Sequence, residues 1–181
     1  MENNKLQPEA LFGYFLKICE IPHGSKNEAQ ISAFLQNFGN ELGYETIADS
    51  VGNVLIKKPA APGYEDRKTI ILQSHMDMVC DKRPDVEHDF TKDSIKTWVD
   101  GEWLKAQGTT LGADNGIGVA AAMAVLADKS LKHGPVNCLF TIDEETGLTG
   151  AEALVPELLH MMNLLKLSMN RQNQLRSLLR T

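Results

Sequence analysis

The sequence predicts an α/β fold, a mostly parallel mixed sheet flanked by helices. Three observations carry that expectation. Two apolar runs, Thr69 to Gln73 and Val136 to Ile142, are continuous rather than alternating, as expected of strands buried on both faces. Segments with helical periodicity or an Ala-rich composition are interspersed with the strands. The composition, 43% apolar and 23% charged over 181 residues, is that of one ordinary globular domain with room for a real core.

From Pro8 to Ile21 the apolar residues Leu11, Phe12, Phe15, Leu16 and Ile18 fall near a 3.6-residue period, which predicts an amphipathic helix with Pro8 in its first turn and Pro22 and Gly24 ending it. Asn27 is placed to cap a second helix carrying Ile31, Phe34, Leu35, Phe38 and Leu42, with Gly43 as its C-terminal cap. Residues 44–48 and 51–57 then read as two strands joined by a tight connection, and a Pro/Gly-bearing loop leads into the apolar strand that ends just before His75. Asp100-Gly101 is a strong hairpin turn between 95–99 and 103–106, where Trp98 and Trp103 are expected to cover the edge of the core. A glycine-rich bend, Gly112 to Gly118, opens an Ala-rich helix to Ala127 that suits close packing on a sheet. The second apolar strand runs into Asp143-Glu144-Glu145, and Gly147 and Gly150 suggest a tight turn into another helix.

Charge and cysteine usage narrow the function classes. A net charge of -6, without strong Lys/Arg clusters before the tail, argues against a nucleic-acid partner and favours small substrates or proteins. Cys19, Cys80 and Cys138 are far apart and form no Cys-x-x-Cys pair, which fits reduced thiols and a cytoplasmic location. The apolar stretch Leu11 to Ile21 is broken by Lys17 and Glu20, so neither a signal segment nor a membrane span is expected there.

Both apolar strands end in residues suited to chemistry, the place where ligands gather in open α/β sheets. His75 and Asp77, at i and i+2, point to one side of an extended chain, which suits a metal-ligating imidazole and the carboxylate that orients it. The same pair also fits a strand-end histidine beside a solvated aspartate. Asp114, among glycines ahead of a helix, is either a carboxylate able to bridge two metal ions or a helix cap. Glu144 and Glu145 point in opposite directions on extended backbone, which would let one ligate a metal while the other takes a proton from water; an acidic solvated loop is the alternative. His23, His88 and His133 lie in turns or polar loops and are expected at the surface. The stretch Gly116-Ile117-Gly118-Val119-Ala120-Ala121 matches a dinucleotide fingerprint in letters only, because Asp114-Asn115 rather than a buried strand precedes it.

Taken jointly, Ser74-His75-Met76-Asp77-Met78-Val79-Cys80, Thr110-Leu111-Gly112-Ala113-Asp114-Asn115-Gly116-Ile117-Gly118 and Asp143-Glu144-Glu145-Thr146-Gly147-Leu148-Thr149-Gly150-Ala151 closely resemble the cytosolic aminoacyl-histidine (non-specific) dipeptidases, within the wider family of di-zinc exopeptidases. The motifs occur in family order, Ile21-Pro22 and Asn27-Glu28 fit its N-terminal segment, and the resemblance covers roughly residues 5–157. It implies a zinc-exopeptidase-like catalytic domain, incomplete at the C-terminus, and hydrolysis of dipeptides. In the roles it implies, His75 ligates one metal, Asp114 bridges both, Glu145 ligates the other, Asp77 orients His75 and Glu144 is the general base. Two zinc ions are the implied cofactors, with manganese or cobalt compatible with mixed imidazole and carboxylate ligands. A related deacylase or carboxypeptidase, or a non-catalytic module keeping the fold, is the alternative.

The tail departs from the pattern. All 24 acids and 14 of the 18 bases lie in residues 1–157, giving -10, whereas residues 158–181 carry Lys166, Arg171, Arg176 and Arg180, giving +4. The family's next metal-binding aspartate would fall near Ser168, and its last histidine lies far downstream in a longer chain; His160 matches neither. The expectation is therefore the N-terminal part of a catalytic domain over 1–157, followed by an atypical basic tail at 158–181 that is either the product of a frame slip near Leu159 or an added helix. Such a chain is expected to bind metal weakly and to turn over little dipeptide alone. Oligomerisation is open, because the family's dimerising insertion is not visible.

Overall fold

The computed structural model describes residues 6–154; the basic tail expected at 158–181 lies outside the described residues. Helix α1 (Glu9–Cys19) and helix α2 (Ala29–Glu41) open the chain, followed by strands β1 (Glu45–Ala48), β2 (Val54–Lys58) and β3 (Ile70–His75). Strands β4 (Thr97–Asp100) and β5 (Trp103–Ala106) form a separate hairpin about Asp100-Gly101, as the sequence predicts. Helix α3 (Ala113–Ala127), strand β6 (Val136–Thr141) and two single turns, α4 (Glu144–Gly147) and α5 (Thr149–Glu152), complete the order.

The main sheet runs β1-β2-β6-β3, with β1, β2 and β6 paired antiparallel and β6 paired parallel to β3. It is the expected mixed sheet flanked by helices. Within this four-stranded sheet the parallel pairing is confined to β3 and β6, the other two pairings being antiparallel, and the candidate site lies at the end of that pair. Alternation along β2 and β6 divides the sheet into two faces. Val54, Ile56, Val136, Cys138 and Phe140 join α1, α2 and α3 in the main core, while Leu55 and Leu139 meet Ile47, Ile71 and Leu154 on the other face.

Small residues set how closely the layers approach. A Cβ on Gly39 would stand 2.3 Å from Thr46 Oγ1 and 3.0 Å from Ile56 Cδ1, so α2 lies directly on the sheet. A Cβ on Gly116 would stand 3.0 Å from the Phe15 ring, so α1 and α3 touch. Gly43, at φ 76, takes the left-handed position that ends α2, as expected.

Four local expectations are corrected. Pro8 is the N-cap residue of α1, just ahead of Glu9, rather than inside the first turn. Glu28, not Asn27, holds the N-cap position of α2, and no side chain caps that helix. His23 is buried, 2% exposed, because its loop is clamped to the chain beyond β3: Met78 N donates to His23 O at 3.1 Å and Ser25 N to Met78 O at 3.2 Å. Trp98 and Trp103 lie on the outer face of the hairpin, the latter 70% exposed, because the inner face is filled by Leu104 and Ala106 against the core. Cys19 and Cys138 are buried and Cys80 is exposed, and all three are free thiols. Among the described residues no helix is long and apolar enough to cross a membrane.

Lys58 ties α3 to the sheet. Buried at the end of β2, it donates from Nζ to Val125 O at 2.8 Å and to Asp128 O at 2.5 Å, satisfying carbonyls at the C-terminal end of the helix. Burial pushes its ammonium down from the usual range, opposed by the Asp128 charge. Lys58→Met is expected to lower stability by about 2 kcal/mol in denaturant unfolding, because both carbonyls lose a charged donor; a change under about 0.5 kcal/mol would contradict this role.

Candidate metal and proton-transfer site

Strand β3 ends at His75, and the chain keeps its extended course: Met76 N donates to Thr141 O at 2.8 Å, and Met78 forms a parallel bridge with Gly24. His75 and Asp77 therefore project to one side, as the i, i+2 spacing predicts. His75 Nδ1 lies 3.1 Å from Asp77 O and 3.3 Å from Asp77 Oδ1. Both neighbours are acceptors, so Nδ1 carries a proton and the neutral ring presents its lone pair at Nε2. Nε2 in turn faces Asp114 Oδ1 at 3.1 Å and Glu144 Oε2 at 4.0 Å.

Asp114 stands where α3 departs from helical geometry. Its φ and ψ are -90° and 108°, the Asp114–Asn115 peptide bond is cis, and Gly116 N resumes the helix by donating to Gly112 O at 3.0 Å. Gly112 has φ 72, and a Cβ there would stand 2.8 Å from Met78 Sδ, so the bend admits only glycine without rearrangement. Asp114 caps no helix: its carboxylate, 84% exposed, leans over the end of β3 toward His75.

The glutamates differ from the extended arrangement expected. Asp143 takes a left-handed conformation (φ 53), and Glu144 and Glu145 occupy one turn of α4, about 100° apart on a helical turn rather than opposed. Glu145 brings a carboxylate oxygen to His75 and Asp114, and one ligand atom from each of the three lies within 4.8 Å of the others. Glu144 stands beside this group, within reach of the same imidazole.

A sequence of backbone donors anchors this turn. Ile142 N donates to Asn53 Oδ1 at 3.0 Å, Asp143 N to Glu28 Oε1 at 3.1 Å, Glu144 N to Asp77 Oδ1 at 3.0 Å and Glu145 N to Asp77 Oδ2 at 3.3 Å. Ser25 Oγ also donates to Asp77 Oδ2, at 2.8 Å. The Asp143 carboxylate accepts from Lys26 Nζ, Thr146 Oγ1 and Thr149 Oγ1. Sequence reasoning missed Glu28, Asn53 and Asp143 as parts of the site. In the sequence Glu28 only follows the expected cap of the second helix and Asn53 falls in an expected strand, and only the fold brings them to the end of β6.

The electrostatics follow from this geometry. Burial raises the Asp77 carboxyl, but donors from His75, Glu144 N, Ser25 and Glu145 N outweigh it and hold the group down at about 2. Burial lowers the His75 imidazolium, but the Asp77 hydrogen bond and charge, with Glu144, hold it up at about 9. A proton on Nε2 thus stands where a cation could. Burial pushes the Glu145 carboxyl above its usual range, with His75 opposing and the Asp114, Glu144 and Asp77 charges adding to the rise. For Asp143, burial is outweighed by Lys26, Thr146 and Thr149, and the carboxyl lies below its usual range. One imidazole and two carboxylates converging in this way suit zinc, and also manganese or cobalt.

An imidazole and a glutamate at the carboxyl ends of adjacent parallel strands, with Asp114 of α3 over them, offer the donor types that a divalent metal ion takes in metallohydrolases. The model of peptidase family M20/M25/M40 matches residues 71–173, and the chain belongs to that family. It is 52% identical over 153 residues to the cytosol non-specific dipeptidase of Escherichia coli (strain K12), covering 84% of this chain and 32% of that protein. Its fold matches the crystal structure of aminoacylhistidine dipeptidase from Vibrio alginolyticus with a TM-score of 0.82 at 52% identity, over 85% of this chain and 31% of that one. The fold is also similar to that of the Bacillus subtilis YXEP protein, described as a dinuclear metal binding peptidase from the M20 family, with a TM-score of 0.50 at 17% identity, over 86% of this chain and 39% of that one. The chain thus spans about a third of the length of the two dipeptidases it matches.

Gly150 closes the turn that carries the glutamates. A Cβ there would stand 2.5 Å from Asn53 Oδ1, 2.5 Å from Ile142 O and 2.7 Å from Ile142 N, where backbone has to move. Gly150→Ala is expected to destabilise the chain by about 1–3 kcal/mol in denaturant unfolding and to break the Asn53 contacts. An unchanged transition midpoint would contradict this packing.

Proposed function

We propose that this chain carries metal-binding and proton-handling residues of a dipeptide hydrolase, the activity named for its 52% identical relatives. The observation that carries the proposal is the convergence of His75, Asp114 and Glu145 ligand atoms within 4.8 Å, with Glu144 beside them. In this reading His75, Asp114 and Glu145 would hold the metal ions, His75 serving one, Glu145 the other and Asp114 both, and Asp77 would position His75. Zinc is the metal the donor set suits best, and the cytosolic location of the Escherichia coli relative is the expected setting.

A divalent cation bound at these ligands supplies Lewis acidity to a peptide carbonyl and acidifies a water molecule. Glu144 accepts the proton of the attacking water at its carboxylate, holds it through the addition step, and returns it to the leaving amine. Asp77 keeps His75 Nδ1 protonated and so leaves the Nε2 lone pair as the atom that would hold a cation. The same carboxylate, through the amides of Glu144 and Glu145, holds base and ligand in fixed register with the imidazole.

In this scheme the described residues give each ion two protein ligands, His75 with Asp114 and Asp114 with Glu145, where catalytic zinc sites usually take three. Calorimetric titration of the 181-residue chain with zinc is therefore expected to give binding weaker than about micromolar, weakened about tenfold further in His75→Ala and in Glu145→Gln and unchanged in Glu144→Gln. Assayed on Ala-His and Gly-Gly, the chain is expected to show slow, chelator-sensitive hydrolysis that Glu144→Gln reduces by at least about 100-fold. Submicromolar binding that survives both ligand substitutions, or turnover that survives Glu144→Gln, would overturn the assignment.

A further inference from the structure

We infer that Glu28 is a positioning residue for the Glu144-Glu145 pair, setting the turn on which one glutamate meets the cation and the other the proton. This rests on the ligand assignment proposed above for Glu145.

Glu28 occupies the N-cap position of α2, one residue ahead of the helix, where its carboxylate stands close to the first amides of α2. No side chain caps α2, and the helix has no other acid in its first turn. Instead, Glu28 Oε1 accepts from Lys26 N at 3.0 Å and from Asp143 N at 3.1 Å, the latter across 115 residues of sequence. A carboxylate at the start of α2 thus holds the end of β6.

The two donors share a property. Lys26, at φ 71, and Asp143, at φ 53, are both non-glycine residues in the left-handed region, which costs an L-residue free energy and persists only when surrounding contacts enforce it. One carboxylate oxygen therefore stabilises both irregular residues. A second link closes the ring, because Lys26 Nζ donates to the Asp143 carboxylate. Asp143 is the residue at which extended β6 becomes helical α4, so its left-handed conformation decides where the next two side chains point. Without it the chain continues extended and Glu144 and Glu145 fall on opposite sides. Asp77 receives the amides of Glu144 and Glu145 only after that reversal.

Glu28, Asp77 and Asp143 bring carboxylate oxygens within 4.8 Å of one another, all buried. Amides, hydroxyls, the imidazole and the Lys26 ammonium already engage these three carboxylates. The cluster is thus a scaffold beneath the metal ligands, and Glu28 acts through Asp143 on the residues that follow.

Two substitutions in the full chain separate this role from a general contribution to folding. Glu28→Met removes the acceptor, and Glu28→Gln keeps an acceptor oxygen without the charge. Hydrogen exchange of the amides of residues 142–146 is expected to speed up about tenfold or more in Glu28→Met and to stay near wild type in Glu28→Gln. Titrated with cobalt(II) alone, Glu28→Met is expected to bind about tenfold more weakly, with Glu28→Gln restoring the affinity. In a Glu145→Gln background Glu28→Met is expected to cost no further affinity, since its effect runs through Glu145. Should Glu28→Met not fold, Glu28→Asp, which draws the acceptor back by one methylene, takes its place with the same expectations. Unchanged exchange at 142–146, equal damage from Glu28→Gln, or the same loss of affinity with and without Glu145 would overturn the inference. If Glu145→Gln by itself leaves cobalt affinity unchanged, the ligand assignment fails instead, and the exchange rates still decide whether Glu28 sets the turn.

Discussion

A single buried carboxylate, Asp77, joins the two halves of the site. It holds the proton side of His75, accepts consecutive amides from Glu144 and Glu145, and takes a hydroxyl from Ser25. These donors hold it ionised in spite of burial, with its carboxyl at about 2. Removing any one of them would leave a buried charge short of a partner, so the arrangement is mutually enforcing. Strands β3 and β6 lie side by side because of the sheet, but their ends form a site because of this side chain.

The sheet gives the carboxylate its platform. Parallel pairing puts His75 opposite Thr141, two residues before Asp143, so the two strands deliver their chemistry at the same level. Helix α3 then brings Asp114 over the strand ends through a bend that only Gly112 can take unstrained. The result is an open shelf: His75 and Asp77 are buried beneath, while Asp114 stands largely in solvent. Such a shelf leaves ligand atoms free on one side while their orientation is set from below, the division of labour that metal sites need.

Much of this was legible in the sequence, for identifiable physical reasons. Continuous apolar runs marked β3 and β6, but only β6 is buried on both faces; β3 lies at the edge of the described sheet, with Ile70 55% exposed, so its run marked a strand without marking full burial. Asp100-Gly101 marked the hairpin because few residues tolerate its turn. The shared side of His75 and Asp77 followed from the two-residue period of extended chain. What stayed hidden depends on long-range partners. The direction of Glu144 and Glu145 is set by a left-handed Asp143, and that conformation depends on Glu28, 115 positions away. Asn53 reaches Ile142 and Gly150 across 89 and 97 residues, and nothing in the local sequence points there. His23 looked like a surface turn residue because its burial depends on a bridge to the chain beyond β3. The outward face of Trp98 and Trp103 likewise reflects which side of the hairpin met the core.

Under the proposed ligand assignment, Asp77 organises the ligands without being one. The direct measurement is cobalt(II) affinity of Asp77→Asn in the full chain, with folding followed in parallel by circular dichroism. Asparagine keeps the shape but places an N–H donor against an amide or against His75 Nδ1–H, so the expected result is a folded chain whose affinity falls by about 10- to 100-fold. A folded Asp77→Asn chain that binds cobalt(II) as tightly as the unaltered one would contradict it.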